Sequence, residues 1–321
     1  MDPADPQHVP EDGDLDTSDD AEAGEDENGS ESSGSSYEDE YVYSQDETVS
    51  AFTDYYGFLA KMYLDESSVM HPPPGGWDDI VDSDPAVLQS LGKTDEVLSL
   101  MARLPYIHYR GNWHDDADAV PDCSFEAWTE VFRRISAASD AQDMLERAKN
   151  HRFVTESPEF TDLAPPHVFA IAHRPYAEGV VIVLDTKLGL LQWDGCSCPY
   201  IVQWNGRGCT RVFDVDWDRV TASAQERHWR GSAQTWTIPD FFTNLKYLFT
   251  NLDWIPISPQ TVISAHDTYA YEDGMLDMLK EIYRQHGWPD LAVYRKAECM
   301  AAVQKAMKEN YPFFACSKRR D

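Results

Sequence analysis

Two runs of apolar residues, HVFAIAHR (167–174) and GVVIVLDTKLGLLQWDG (179–195), constrain this chain more than any other feature. Both are rich in Val, Ile, Leu and Phe, the composition of strands packed on a core. Within the second, Asp185-Thr-Lys-Leu-Gly189 reads as a turn, polar at first and ending in a glycine that tolerates positive φ. Val180–Leu184 and Leu190–Trp193 are therefore expected to pair as an antiparallel hairpin. YIVQWNGRG (200–208) and RVFDVDWDRV (211–220) are expected to continue that series.

Helical periodicity flanks the strands on both sides. Phe52, Tyr55, Tyr56, Leu59 and Tyr63 recur at three- and four-residue spacing, giving one apolar helical face. Val97, Leu100, Met101 and Leu104 mark a second helix, capped by Thr94 and stopped by Pro105. A third is expected in SFEAWTEVFRRI, with Ser124 as its cap and Phe125, Trp128, Val131, Phe132 and Ile135 inward; Asp140 to Lys149 continues after a break. TIPDFFTNLKYLFTNL returns to helix with Pro239 in the first turn and Phe242, Leu245, Leu248 and Phe249 on one face. Met275, Met278, Leu279 and Ile282 form another stripe ending at Gly287-Trp-Pro289, and a last helix covers about 291–309. Helices, then antiparallel strands, then helices predict an α+β fold, with no internal repeat.

Charge divides the chain differently. Residues 1–47 hold 18 Asp or Glu and no Lys or Arg, out of 57 acids and 26 bases overall. Such a segment cannot bury enough apolar surface to offset its ordering entropy, and residues 1–49 are expected to form a disordered acidic tail. Ser35, Ser36 and Ser44 each stand three residues before an acid (Glu38, Asp39, Glu47), a pattern that acid-directed kinases favour. Phosphate there would strengthen attraction to a basic partner. The rest keeps 39 acids against 26 bases, a net of −13, which repels phosphate backbones and argues against nucleic acid as a partner. Lys318-Arg319-Arg320 is too short a basic cluster to reverse this. The longest apolar run, 179–184, cannot span a bilayer, and residues 1–30 lack a signal-peptide core. The expected location is intracellular, cytoplasmic or nuclear, with Cys123, Cys196, Cys198, Cys209, Cys299 and Cys316 as reduced thiols.

Candidate chemistry is thin. Cys196, Cys198 and Cys209 with His228 lack the spacing of a zinc site. Asp214, Asp216 and Asp218 would begin a calcium loop, yet Arg219 and Gln225 stand where Gly and Glu are needed, so a strand with its acids facing water is expected. His114 with Asp115, Asp116 and Asp118 could shuttle protons in a cleft, but acids in such a loop are expected to be solvated. No catalytic residue, metal or cofactor is assigned. The most distinctive stretch is His71-Pro72-Pro73-Pro74-Gly75-Gly76-Trp77. Three prolines stiffen the chain, two glycines permit a reversal, and Trp77 anchors the far side. This reads as a rigid corner between the first and second helices, with contact to a protein partner as its other use.

HPPPGGW followed by LGKTDEVLSLMARLPYI resembles a family of uncharacterised fungal proteins, over about residues 50–110. HVFAIAHRPYAEGVVIVLDTKLGLLQW with the later TIPDFFTNLKYLF resembles the SUKH superfamily, over roughly 165–250. That superfamily includes a yeast regulator of cell-wall synthesis and bacterial toxin-immunity proteins; Leu91-Gly92 and Leu104-Pro105 partly echo its opening. The resemblance implies an α+β scaffold at 50–256, with 257–321 as a helical extension packed on it. It also implies work through contact with a protein partner, without a shared catalytic centre; the short apolar runs set aside a membrane. An enzyme using the His114 and Asp cluster in a cleft is the competing expectation.

Overall fold

The computed structural model describes residues 43–108, 116–156, 164–173, 181–194, 215–221, 223–267 and 271–315. The fold is α+β: helices surround a four-stranded antiparallel sheet, with two smaller two-stranded sheets.

Helix α1 spans Gln45–Met62 and buries Phe52, Tyr55, Tyr56 and Leu59, the expected aromatic face. It begins before residue 50, so the folded part claims seven residues, from Tyr43 to Val49, that composition assigned to the acidic tail. The reason is local: Ser44 Oγ accepts the Glu47 N–H at 3.3 Å as the N-cap. The Ser-x-x-Glu spacing read as a phosphorylation pattern thus matches the serine half of a capping box. Gln45 adds a bond to Ser99 at 3.0 Å, and Arg103 reaches Gln45 at 2.8 Å and Asp46 at 2.6 Å. A chain cut to 49–321 should therefore unfold about 1–2 kcal/mol more easily than one cut to 43–321, chiefly through the lost cap. Urea melts of the two chains check this, and equal midpoints would refute it. The remainder of the acidic segment, 1–42, lies outside the described residues.

After strand β1 (Val69–Met70) come α2 (Asp78–Val81), α3 (Pro85–Ser90), α4 (Asp95–Arg103) and β2 (Tyr106–Ile107), which pairs with β1. Thr94 caps α4 as expected, its hydroxyl accepting the Val97 N–H at 3.3 Å. Helix α5 runs Trp128–Ser136, three residues later than Ser124 suggested, and has no side-chain cap. Residues 125 and 126 instead lie along the sheet: Phe125 bridges Ala172, and the Glu126 N–H donates to the Ile171 carbonyl at 2.8 Å. Helix α6, Ala141–Thr155, is capped by Asp140, which accepts from Gln142 and Asp143 at 2.9 Å each.

The sheet runs β3 (Val168–His173), β4 (Val181–Asp185), β5 (Leu190–Asp194) and β6 (Gln234–Thr237) in spatial order. The expected β4–β5 hairpin forms, with Val183 opposite Gln192. Its turn is set by Asp185, whose Oδ1 accepts the Lys187 and Leu188 N–H groups at 2.8 and 2.9 Å, and by Gly189 at φ +66°. A Cβ on Gly189 would lie 3.4 Å from the Tyr43 Cα. Gly189→Val is expected to cost about 1 kcal/mol or more, read from a denaturation midpoint, and no change would remove the turn argument. The series does not continue through residues 215–220. Trp217–Val220 is a short helix, α7, with Asp216 accepting from Asp218 and Arg219 as its cap. The strand expected there is replaced because the Asp216 carboxylate satisfies the first free N–H groups of a helix. Asp214 and residues 200–208 fall outside the described residues.

Helix α8 (Ala224–Ser232) precedes β6, and α9 (Ile238–Thr250) follows it with Pro239 in its first turn. Alternation splits the sheet side chains between two faces. Phe169, Ile171, Ile182, Leu184, Leu191, Trp193 and Trp236 join the main core with α1, α5 and α9. Val168, Ala170, Val181 and Val183 form a smaller cluster with Trp229 of α8. Strands β7 (Trp254–Pro256) and β8 (Val262–Ser264) are followed by α10 (Met275–Gln285), α11 (Lys296–Asn310) and α12 (Pro312–Ala315). Met275, Leu279, Tyr283, Cys299, Val303 and Met307 belong to the same core as Phe52. Lys296 Nζ donates to the Ala60 and Leu64 carbonyls at 2.7 and 2.8 Å, placing a cation at the C-terminal end of α1.

Candidate functional site

The seven residues 71–77 connect β1 to α2, so β1 and two short helices, not a single bend, separate α1 from α4. Gly76 N–H donates to the Pro73 carbonyl at 3.0 Å, closing a β-turn with Pro74 and Gly75 in the middle. Gly75 has φ +105°, as the third position of a type II turn requires. Gly76 also has positive φ, +101°, and is buried: a Cβ there would lie 2.9 Å from the Ala102 carbonyl oxygen and 3.1 Å from Val81 Cγ2. Trp77 N–H donates to the same Ala102 carbonyl at 2.9 Å, and its indole Nε1–H donates to the Leu104 carbonyl at 2.7 Å. Its ring lies 5.8 Å from that of Tyr106. Trp77 is half-buried at the edge of the core, whereas the corner reading expected full burial. The half that stays open carries no polar cost, because the indole N–H is already bonded.

The other end of the segment faces water. His71, Pro73, Pro74 and Gly75 are exposed, and Pro72 is half-buried. The corner therefore has a fixed base, tied to the end of α4, and a stiff exposed tip.

The remaining candidates separate. His114 and Asp115 lie outside the described residues. Asp116 and Asp118 are buried, 7 % and 2 % exposed, against the expectation of a solvated acidic loop. Asp118 is committed to structure: its carboxylate accepts the Val262 N–H at 3.0 Å, its N–H donates to the Gln260 carbonyl at 2.9 Å, and its carbonyl accepts the Tyr63 hydroxyl. A loop carboxylate becomes a core group when a neighbouring strand presents an N–H that needs an acceptor. Cys123 and Cys299 are buried and form no disulfide, and burial raises the Cys299 pKa to about 11. Cys196, Cys198, Cys209 and Cys316 lie outside the described residues, and His228 is exposed on α8. Among the described residues no group of three or more His, Cys, Asp or Glu could hold a metal ion.

Two charged clusters went unread in the sequence. Arg230, 1 % exposed, forms an ion pair with Asp185 at 2.8 Å and donates to Glu226 at 2.9 Å and to the Gln192 side-chain carbonyl at 2.7 Å. Its guanidinium lies over Trp229 at 4.6 Å and Trp217 at 5.5 Å. This cluster fastens α8 to the second face of the sheet. Its one sequence signal was Glu226 four residues before Arg230 on a helix. The other joins Lys93 to Glu156, with Lys93 Nζ also donating to the Val168 carbonyl at 2.7 Å. Together with Trp128 Nε1 to the Ala170 carbonyl at 3.1 Å and the Glu126 N–H to Ile171, it occupies the outer edge of β3.

His167 sits at the rim of the Arg230 cluster, its Nε2 3.7 Å from the Asp185 carboxylate. Burial lowers its pKa below the usual 6.5, with Asp185 and Glu226 opposing and Arg230 and Lys187 assisting. His266, beside Asp253, is lowered by burial in the same way. Below pH 6.5 the unfolded chain binds protons that the folded protein refuses, so stability rises with pH and is lost as pH falls from 6.5. The thermal midpoint should drop between about pH 7 and 5, and His167→Gln should flatten that drop. An unchanged slope in the variant would refute the assignment.

No family model, curated protein or solved structure matches this chain. No helix among the described residues is long and apolar enough to cross a membrane.

Proposed function

We propose that this chain is a non-catalytic intracellular protein-interaction module, regulatory in the manner of SUKH-superfamily proteins, with an α+β domain that begins with the Ser44 cap of α1 and runs to about 256, and a helical extension at 257–321. The exposed tip of the corner, His71 to Gly75, is its contact with a protein partner. One observation carries this reading: the tip is exposed while its base is locked by Gly76 and Trp77. A stiff exposed segment loses little conformational entropy on binding, which is where flexible loops forfeit affinity. The competing enzymatic use of the His114 and Asp cluster has less behind it, since Asp118 already serves the Val262 N–H.

The test is a His71→Ser/Pro73→Ser variant of the full chain beside the parent. Both positions are exposed, so the denaturation midpoint should stay within about 0.5 kcal/mol of the parent, as for ordinary surface changes. In affinity capture from the native host, the variant should lose a partner that the parent retains. Identical partner sets would reject the contact.

A further inference from the structure

Resting on that contact, we infer that the partner carries a proline-recognising groove, a row of aromatic side chains rimmed by Lys or Arg. Two observations specify this chemistry. The first is the shape of the tip. Pro72 is half-buried, Pro73 and Pro74 are exposed, and the turn from Pro73 to Gly76 is closed by a 3.0 Å hydrogen bond. Proline rings offer flat apolar faces, and aromatic grooves take such pre-set segments without having to order them.

The second is charge. No Lys or Arg stands between Lys61 and Lys93, while Asp65, Glu66, Asp78, Asp79, Asp82 and Asp84 flank the prolines. Asp79 is occupied by Arg133 at 2.8 Å, but Asp78 and Asp82 are exposed beside the corner. A groove with an acidic rim would be repelled, and a basic rim is the complementary arrangement. An anionic partner such as nucleic acid is disfavoured by the same acids.

The experiment immobilises the full chain, loads it with the partner that the His71→Ser/Pro73→Ser variant fails to hold, and challenges the complex with a synthetic decaproline peptide. Decaproline should displace the partner, leaving about tenfold less on the column. Asp78→Asn/Asp82→Asn should weaken retention several-fold and reduce its salt sensitivity. Retention that decaproline and salt leave untouched would overturn the groove while preserving the contact at His71 to Gly75. Equal capture by the parent and the His71→Ser/Pro73→Ser variant would remove the contact itself, and the groove with it.

Discussion

An Arg230→Met chain is expected to unfold about 3–5 kcal/mol more easily than the parent, because the substitution strands two carboxylates in the protein interior. Asp185 and Glu226 both rely on this guanidinium, and Asp185 is wholly buried. Methionine fills much of the same volume, so the loss reports the unpaired charge and not a cavity. Adding Glu226→Gln to Arg230→Met removes one of the two carboxylates and should recover part of the loss, a coupling that a double-mutant cycle measures. Urea denaturation of the four chains decides it. A loss below about 1 kcal/mol for Arg230→Met would mean that water reaches the carboxylates when the arginine is gone.

The second large effect separates two neighbouring glycines. Gly75 and Gly76 share nearly the same φ, +105° and +101°, so valine at either position meets the same backbone strain, about 2 kcal/mol. Their surroundings differ. Nothing lies within 4 Å of a Cβ on Gly75, whereas one on Gly76 meets the Ala102 carbonyl at 2.9 Å. Gly76→Val should therefore cost about 4 kcal/mol, the added part coming from overpacking against the end of α4. Denaturation midpoints for the two variants give the difference directly. Equal losses would show that the Ala102 wall yields and that strain alone sets the corner.

How much of this was legible varies by the range of the interaction involved. The α1 face, the Thr94 cap and the Asp185–Gly189 turn were readable because each depends on residues a few positions apart. The turn from Pro73 to Gly76 was readable for the same reason, in its stiff prolines and permissive glycines, but the elements it joins and the half-burial of Trp77 were not. Ser124 misled because the chain before α5 is held by backbone bonding to Ile171, a partner distant in sequence that overrides a good capping residue. Asp116 and Asp118 misled in the opposite sense: adjacent acids signal water, and the N–H that captures Asp118 belongs to Val262. Asp216 fitted a strand by alternation, yet its carboxylate turned to its own following N–H groups. The Arg230 cluster gathers residues from β4, β5 and α8, and no spacing rule joins Asp185 to Arg230.

The occupied edge of β3 bears on self-association. A filament built by strand addition needs every copy to present two open sheet edges, one to receive and one to be received. In this four-stranded sheet, the β3 end is plugged by a lysine ammonium, an indole N–H and the main chain around Phe125. A strand arriving there from another copy would first have to evict all three. Growth from one copy to the next therefore cannot pass through the β3 edge, and a chain of sheets that needs both edges is closed by three side-by-side contacts that owe nothing to surface charge.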